Sequence, residues 1–168
     1  KLLLLKKVKM NRPYAVYLAG YISDKKALEC AEWRLRIKNF FNMKPKWHGQ
    51  LCFIDPMNGE SVASLGKEGL TSCFPPHAIV HRDYNSVLAS DLVIANPNTF
   101  GEPREPIGTI CEMAWAFQLR KPIIMITDNY RYINHPFTSY FASAIVKDTD
   151  ELLKGNLIQQ FYKGLANG

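Results

Sequence analysis

The sequence predicts an α/β fold, a parallel sheet covered by helices on both faces, and three observations predict it. Short β-rich runs alternate with stretches of helical spacing from one end of the chain to the other. The 168 residues, 47% hydrophobic and 12% aromatic, suffice for one packed domain and argue against a disordered chain. No internal repeat or low-complexity tract interrupts the pattern. Strands that alternate with helices form parallel sheets, because each crossover carries a helix onto a face.

Five strands are expected. Tyr14–Ala19 is a β-rich run closed by Gly20, and Lys25–Phe41 follows with helical spacing through Leu28, Ala31, Leu35, Ile37 and Phe41. Leu51–Ile54 is a second strand, stopped by Asp55-Pro56. The Gly- and Ser-bearing stretch from Asn58 to Pro76 reads as a long loop, a length usually reserved for lids or binding segments. His81–Ala89 is the next helix and Asp91–Ala95 the third strand. Three prolines mark Asn96–Pro106 as a loop before the helix Ile107–Leu119. Lys121–Ile126 and Ala144–Val146 complete the sheet, and Asp150–Tyr162 closes the chain as an amphipathic helix.

The first nine residues carry an apolar run of four leucines between lysines, too short to span a membrane and without a small-residue cleavage site. They are set aside as a leader or cloning remnant, leaving a single domain over residues 10–168. No other segment approaches transmembrane length, so no membrane partner is expected. The net charge of +6 suits anionic small molecules or nucleic acid, but the lysines and arginines are scattered instead of forming a stripe, and nucleic acid is not expected. Cys30, Cys52, Cys73 and Cys111 show no C-x-x-C pairing and read as reduced thiols of a cytoplasmic protein.

Several chemistries lack their signatures. Neither G-x-G-x-x-G nor G-x-x-x-x-G-K-[ST] occurs, which argues against a dinucleotide enzyme and a Walker ATPase. No G-x-S-x-G elbow supports a serine hydrolase. His48, His77, His81 and His135 lack metal-ligand spacing except for His77 and His81 at i, i+4, and Pro75-Pro76 argues against a helix across that pair. No metal and no cofactor are therefore expected.

What remains is a set of carboxylates and aromatics near strand ends. Glu112 lies in the apolar stretch Gly108–Ala116, where an ionised side chain is costly unless paired. It is a candidate nucleophile or acid/base group, or else a helix-dipole partner. Loops that follow the strands of a parallel sheet gather at one edge, so Tyr21, Asn96 and Glu112 are expected to converge, with Asp83 near the start of the preceding helix and on the same side.

The motifs V-Y-L-A-G at 16–20, R-D-Y-N-S-V-L-A-S-D-L-V-I-A-N at 82–96, G-T-I-C-E-M-A-W-A at 108–116 and K-P-I-I at 121–124 together resemble the nucleoside 2-deoxyribosyltransferase family, which also contains the 2′-deoxynucleoside 5′-monophosphate N-glycosidases. The resemblance implies a flavodoxin-like, Rossmann-like three-layer sandwich with a five-stranded parallel sheet. It implies that Glu112 attacks the anomeric carbon of a deoxyribosyl group, that Asp83 handles the proton of the base, and that Tyr17 positions the nucleophile. A second base or water then takes the sugar. The expected substrates are thus a deoxynucleoside and a free nucleobase, and the expected substrate-binding set is Gly20, Tyr21, Ser23, Asn96, Glu105, Gly108, Thr138 and Ser139.

The chain also departs from that pattern. The family's transferases commonly carry an aspartate six residues before the nucleophile, where this chain has Pro106 with Glu105 beside it; a loop shortened by one residue lets Glu105 substitute. The monophosphate glycosidases bring Ser and Arg to the 5′-phosphate just after the first glycine, whereas this chain has Tyr21 and Ser23 there. Tyr21 resembles the aromatic that transferases stack on a base, which favours a nucleoside over a nucleotide. The segment His135–Ser139 resembles the one that reaches a neighbouring subunit's site, so the resemblance implies a homo-oligomer of at least two chains.

Simpler roles compete with each assignment. Glu112 and Asp83 can serve as first-turn or capping carboxylates, Tyr17 as a core tyrosine, and Tyr21 as a loop aromatic packed beneath a lid. Asp91 reads as a strand-entry carboxylate that bonds nearby amides. Trp33, Trp47 and Trp115 read as core or interface residues, and the helix Lys25–Lys38 as a solvated face. Three functions stand: deoxyribosyl transfer between bases through a covalent glutamyl intermediate, hydrolysis of a 2′-deoxynucleoside 5′-monophosphate, and a non-catalytic nucleotide-binding module.

Overall fold

A computed structural model describes residues 12–47, 49–58 and 75–166. The five strands are β1 (Tyr14–Gly20), β2 (Leu51–Ile54), β3 (Leu92–Asn96), β4 (Ile123–Ile126) and β5 (Ala144–Val146). They form one sheet in the order β2-β1-β3-β4-β5, and every neighbouring pair is parallel. This is the flavodoxin-like order. Helices α1 (Ala27–Asn42), α2 (Pro76–Ala89), α3 (Ile107–Gln118), α4 (Tyr130–Ile133), α5 (Pro136–Phe141), α6 (Thr149–Lys154) and α7 (Leu157–Ala166) flank it.

The three-layer expectation holds, and burial explains why. Every residue of β1, β3 and β4 is buried, as the inner strands of a doubly covered sheet must be. Alternation along β1 sends Tyr14, Val16 and Leu18 into a core with Trp33, Ile37 and Phe41 of α1 and Leu152 of α6. Tyr17 and Ala19 point the other way, into a core with Val87 of α2 and Met113 and Ala116 of α3. That second face is the one that matters for chemistry, because it joins Tyr17 to α3.

Asp91 is the strand-entry carboxylate expected. Its Oδ2 accepts the Ala15 amide at 2.8 Å, and its two oxygens take both ends of the Arg12 guanidinium at 2.7 Å. The contact ties the start of β3 to that of β1 and fixes the register Val16–Leu92 through Gly20–Asn96.

Four expectations need correction. First, α2 begins at Pro76 and crosses His77 and His81, because proline at the first helical position gives up only an amide that has no intrahelical partner there. Asp83 consequently lies in mid-helix, not near a helix start. Second, Leu28 and Leu35 of α1 are 68% and 49% exposed, and the inner stripe is Ala27, Cys30, Arg34, Ile37 and Phe41 at i, i+3, i+7 spacing. Arg34 is fully buried, so α1 is not simply a solvated face. Third, α4 and α5 were not expected, although Asn129 caps α4 by accepting the Arg131 amide at 3.0 Å and Pro136 opens α5. Fourth, the closing helix is two helices, separated at Gly155-Asn156, where Asn156 adopts φ +53°. The leader at 1–9, His48 and most of the loop from Asn58 to Pro76 lie outside the described residues.

Candidate active site

In this topology the chain leaves β1 to one side for β2 and returns to the other side at β3. Open α/β sheets bind ligands beyond the carboxyl ends of the strands at such a switch point. A cleft of about 780 Å³ lies there. Gly20, Tyr21 and Ser23 line it from the loop after β1, and Asp83 with Arg82 from α2. Glu105 comes from the loop after β3, and Gly108, Thr109 and Glu112 from α3.

Glu112 sits at its floor, 6% exposed. It is in the second turn of α3, past the first-turn positions where a carboxylate serves the helix dipole, so that simpler role does not account for it. The Tyr17 hydroxyl donates to Glu112 Oε1 at 2.5 Å. Sheet alternation turns Tyr17 toward α3, and α3 packs on β1, which brings the two together from 95 positions apart in the chain. Burial pushes the Glu112 carboxyl up to about 8; the Tyr17 hydrogen bond and the charges of Arg34 and Arg82 oppose that rise, and Asp83 adds to it. Burial, with the nearby carboxylates Glu112 and Asp83, drives the Tyr17 phenol above its ordinary range, so the hydroxyl stays protonated and keeps donating.

Asp83 accepts from Arg82 Nε at 2.9 Å, so α2 brings a paired carboxylate to the cleft. Tyr21 is 4% exposed, and the Arg104 guanidinium lies 4.9 Å from its ring centre. Arg104 also donates to the Tyr21 hydroxyl at 3.2 Å and to the Ile22 carbonyl at 2.8 Å, so the loops after β1 and β3 are tied across the cleft. Glu105 lines the cleft with its carboxylate paired to Arg131 at 2.9 Å and accepting the Tyr132 hydroxyl at 3.3 Å.

Four expected site residues lie outside the cleft lining: Tyr17, which is fully buried and meets the cleft through its bond to Glu112, and Asn96, Thr138 and Ser139. Asn96 ends β3, where its carbonyl accepts the Tyr21 amide at 3.4 Å and its side chain accepts the Asn98 amide at 3.1 Å. Thr138 is buried in α5 with its hydroxyl given to the Tyr132 carbonyl, and Ser139 donates to the His135 carbonyl at 2.9 Å. The sequence reading passed over Arg82, Arg104, Lys25 and Thr109, which also line the cleft. Arg82 and Thr109 stand inside motifs that were read for their neighbours. Arg104 and Lys25 carry no sequence signal, because it is the fold that brings their loops together. Among the described residues, no group of His, Cys, Asp and Glu could hold a metal ion, and no helix is long and apolar enough to cross a membrane.

No family model matches the chain, and no curated protein matches it. Solved structures do. The chain is similar to a conserved protein from Enterococcus faecalis V583, with TM-score 0.60 and 16% identity over 84% of this chain and 96% of that one. It is similar to the CMP N-glycosidase BcmB of Clostridium botulinum, with TM-score 0.53 and 20% identity over 84% of this chain and 96% of that one. A 2-desoxiribosyltransferase from Leishmania mexicana aligns at TM-score 0.47 and 19% identity over 72% of this chain and 69% of that one. Likeness at these identities is likeness of fold, and function has to be argued from the site.

Proposed function

We propose that this chain cleaves the N-glycosidic bond of a 2′-deoxynucleoside with Glu112 as nucleophile and passes the sugar to a second base. The observation that carries the reading is the Tyr17–Glu112 hydrogen bond of 2.5 Å at the floor of the cleft, with Asp83 in the same lining. A carboxylate held by one donor beneath an open cavity suits attack on an oxocarbenium-like carbon. In the first step a Glu112 oxygen bonds to the anomeric carbon as the carbon–nitrogen bond breaks. The electron pair leaves with the base nitrogen, and the proton that Glu112 held passes by way of Asp83 to that nitrogen, so that Glu112 attacks as carboxylate. In the second step a nitrogen of the incoming base attacks the same carbon, Glu112 departs as carboxylate, and the proton lost by that base passes by way of Asp83 back to Glu112. No cofactor enters either step. Membership of the deoxyribosyltransferase family, a shared site in a homo-oligomer and a cytoplasmic setting belong to the same proposal. Thr138 is enclosed in its own chain, so Ser139 is the better candidate for reaching a neighbouring site.

A second reading, hydrolysis of a 2′-deoxynucleoside 5′-monophosphate, is favoured by specific features. Lys25, Arg82 and Arg104 line the cleft, and the Tyr21 ring that would stack on a base lies against Arg104. The Clostridium protein is a CMP N-glycosidase, which supports the monophosphate part of this reading. The test is to incubate deoxynucleosides and their monophosphates with and without a second free base and to separate the products by chromatography. Transfer predicts an exchanged nucleoside that appears only when the second base is present. Free base and deoxyribose phosphate from monophosphates alone would replace transfer by hydrolysis.

A further inference from the structure

Arg34 is an α1 residue with no solvent exposure, and the proposed reaction makes no use of it. Its guanidinium faces the carboxyl end of β1. Nη2 donates to the Gly20 carbonyl at 2.8 Å, Nε to the Leu18 carbonyl at 3.3 Å, and Nη1 to the Cys30 carbonyl. The fit against the turn is close: a Cβ on Gly20 would lie 2.9 Å from Arg34 Nη2. Removing a cation from water is costly, and full burial of this one calls for a counter-charge.

The counter-charge it has is shared. Asp55, just after β2, stands 3.5 Å from Arg34 Nε, and its other oxygen stands 2.6 Å from Lys38 Nζ. Among the described residues, two cations on one carboxylate leave one positive charge in excess behind the Gly20 turn. Glu112 lines the same cleft as Gly20 and bonds Tyr17, the residue next to Leu18, whose carbonyl accepts from Arg34. Among the described residues, Tyr17 of β1, which is neutral, bonds Glu112, and the charges that bear on it are those of Arg82 and Asp83 of α2, which pair with each other, and of Arg34 of α1. Among the described residues, the titratable groups that bear on Arg34 are Asp55, Cys30, Tyr17 and Glu112.

We propose that Arg34 is a positioning residue of the cleft: its fork fixes the Gly20 turn, and the excess positive charge of the Arg34–Lys38–Asp55 cluster favours the ionised form in which Glu112 attacks. The electrostatics agree in direction, since Arg34 holds the Glu112 carboxyl down against burial and Glu112 holds the Arg34 guanidinium up against it. The part of this inference that concerns catalysis rests on the deoxyribosyl reading; the charge coupling does not.

The test is a carboxyl carbon NMR titration of Glu112 in the full chain, with the resonance assigned by its loss in Glu112→Gln. Asp55→Asn, which enlarges the excess charge, lowers the Glu112 midpoint, and Arg34→Met raises it, each by roughly half a pH unit or more. Arg34→Lys keeps the charge and loses the fork, so the midpoint stays near wild type while base release slows by about tenfold or more. If Arg34→Met does not fold, Asp55→Asn decides the charge claim by itself. A midpoint that is unmoved or raised in Asp55→Asn overturns it, and wild-type base release by Arg34→Lys overturns the fork. If the midpoints move as stated in a chain that releases base from no deoxynucleoside, the coupling stands and the activity reading falls.

Discussion

Glu112 holds its proton far more tightly in the folded chain than a solvated glutamate does, and this affects stability as well as chemistry. Its carboxyl is raised from 4.5 to about 8, mainly by burial. Between those values the unfolded chain has lost the proton and the native chain has kept it, so stability falls as pH rises across the window and levels off above about 8. Glu112→Gln removes the titration and leaves a neutral side chain that can still pair with the Tyr17 hydroxyl. The variant therefore melts close to wild type at about pH 5 and above it at about pH 9, by several degrees, since each pKa unit is worth about 1.4 kcal/mol. Thermal melts at both pH values check this, and an equal gap at both would count against a buried, raised carboxyl. A site that sacrifices stability for a poised carboxylate is the kind a functional role accounts for.

Three elements meet at the turn after β1, and Gly20 is where they leave no room. An added Cβ would lie 2.7 Å from Trp33 Cζ2, 2.9 Å from Arg34 Nη2 and 3.2 Å from the Asn96 carbonyl. Gly20→Ala is thus expected to cost about 1–3 kcal/mol of stability, read by urea unfolding, and to impair base release more than that loss of folded protein explains. A variant as stable and as active as wild type would mean that the turn yields easily. The elements themselves differ in how far the sequence discloses them. The strands β1, β3 and β4 were legible because apolar runs of that length admit few alternatives, and α3 because its proline-rich loop marks its start. The face of α1 was not, since Leu28 and Leu35 also fit a helical stripe and only the fold shows that Arg34 occupies the inside. The start of α2 was obscured by reading Pro75-Pro76 as a break when proline at a helix start is favourable.

At the scale of the whole molecule, the flavodoxin-like sheet brings to one switch point residues that lie far apart in the chain. Tyr17, Asp83 and Glu112 were named from their motifs, and the fold brings all three to the cleft or its floor. Arg34, Arg82 and Arg104 were not, because their roles come from contacts between separate elements. Glu105 was expected at the substrate site, and it lines the cleft while its carboxylate is shared with Arg131. The central claim is that Glu112 is the nucleophile. Its most direct test is the rate of free-base release from 2′-deoxynucleosides and their 5′-monophosphates, compared between the wild-type chain and Glu112→Gln. The account predicts release by wild type and a loss of about a thousandfold or more in the folded variant; a variant that releases base at the wild-type rate would contradict it.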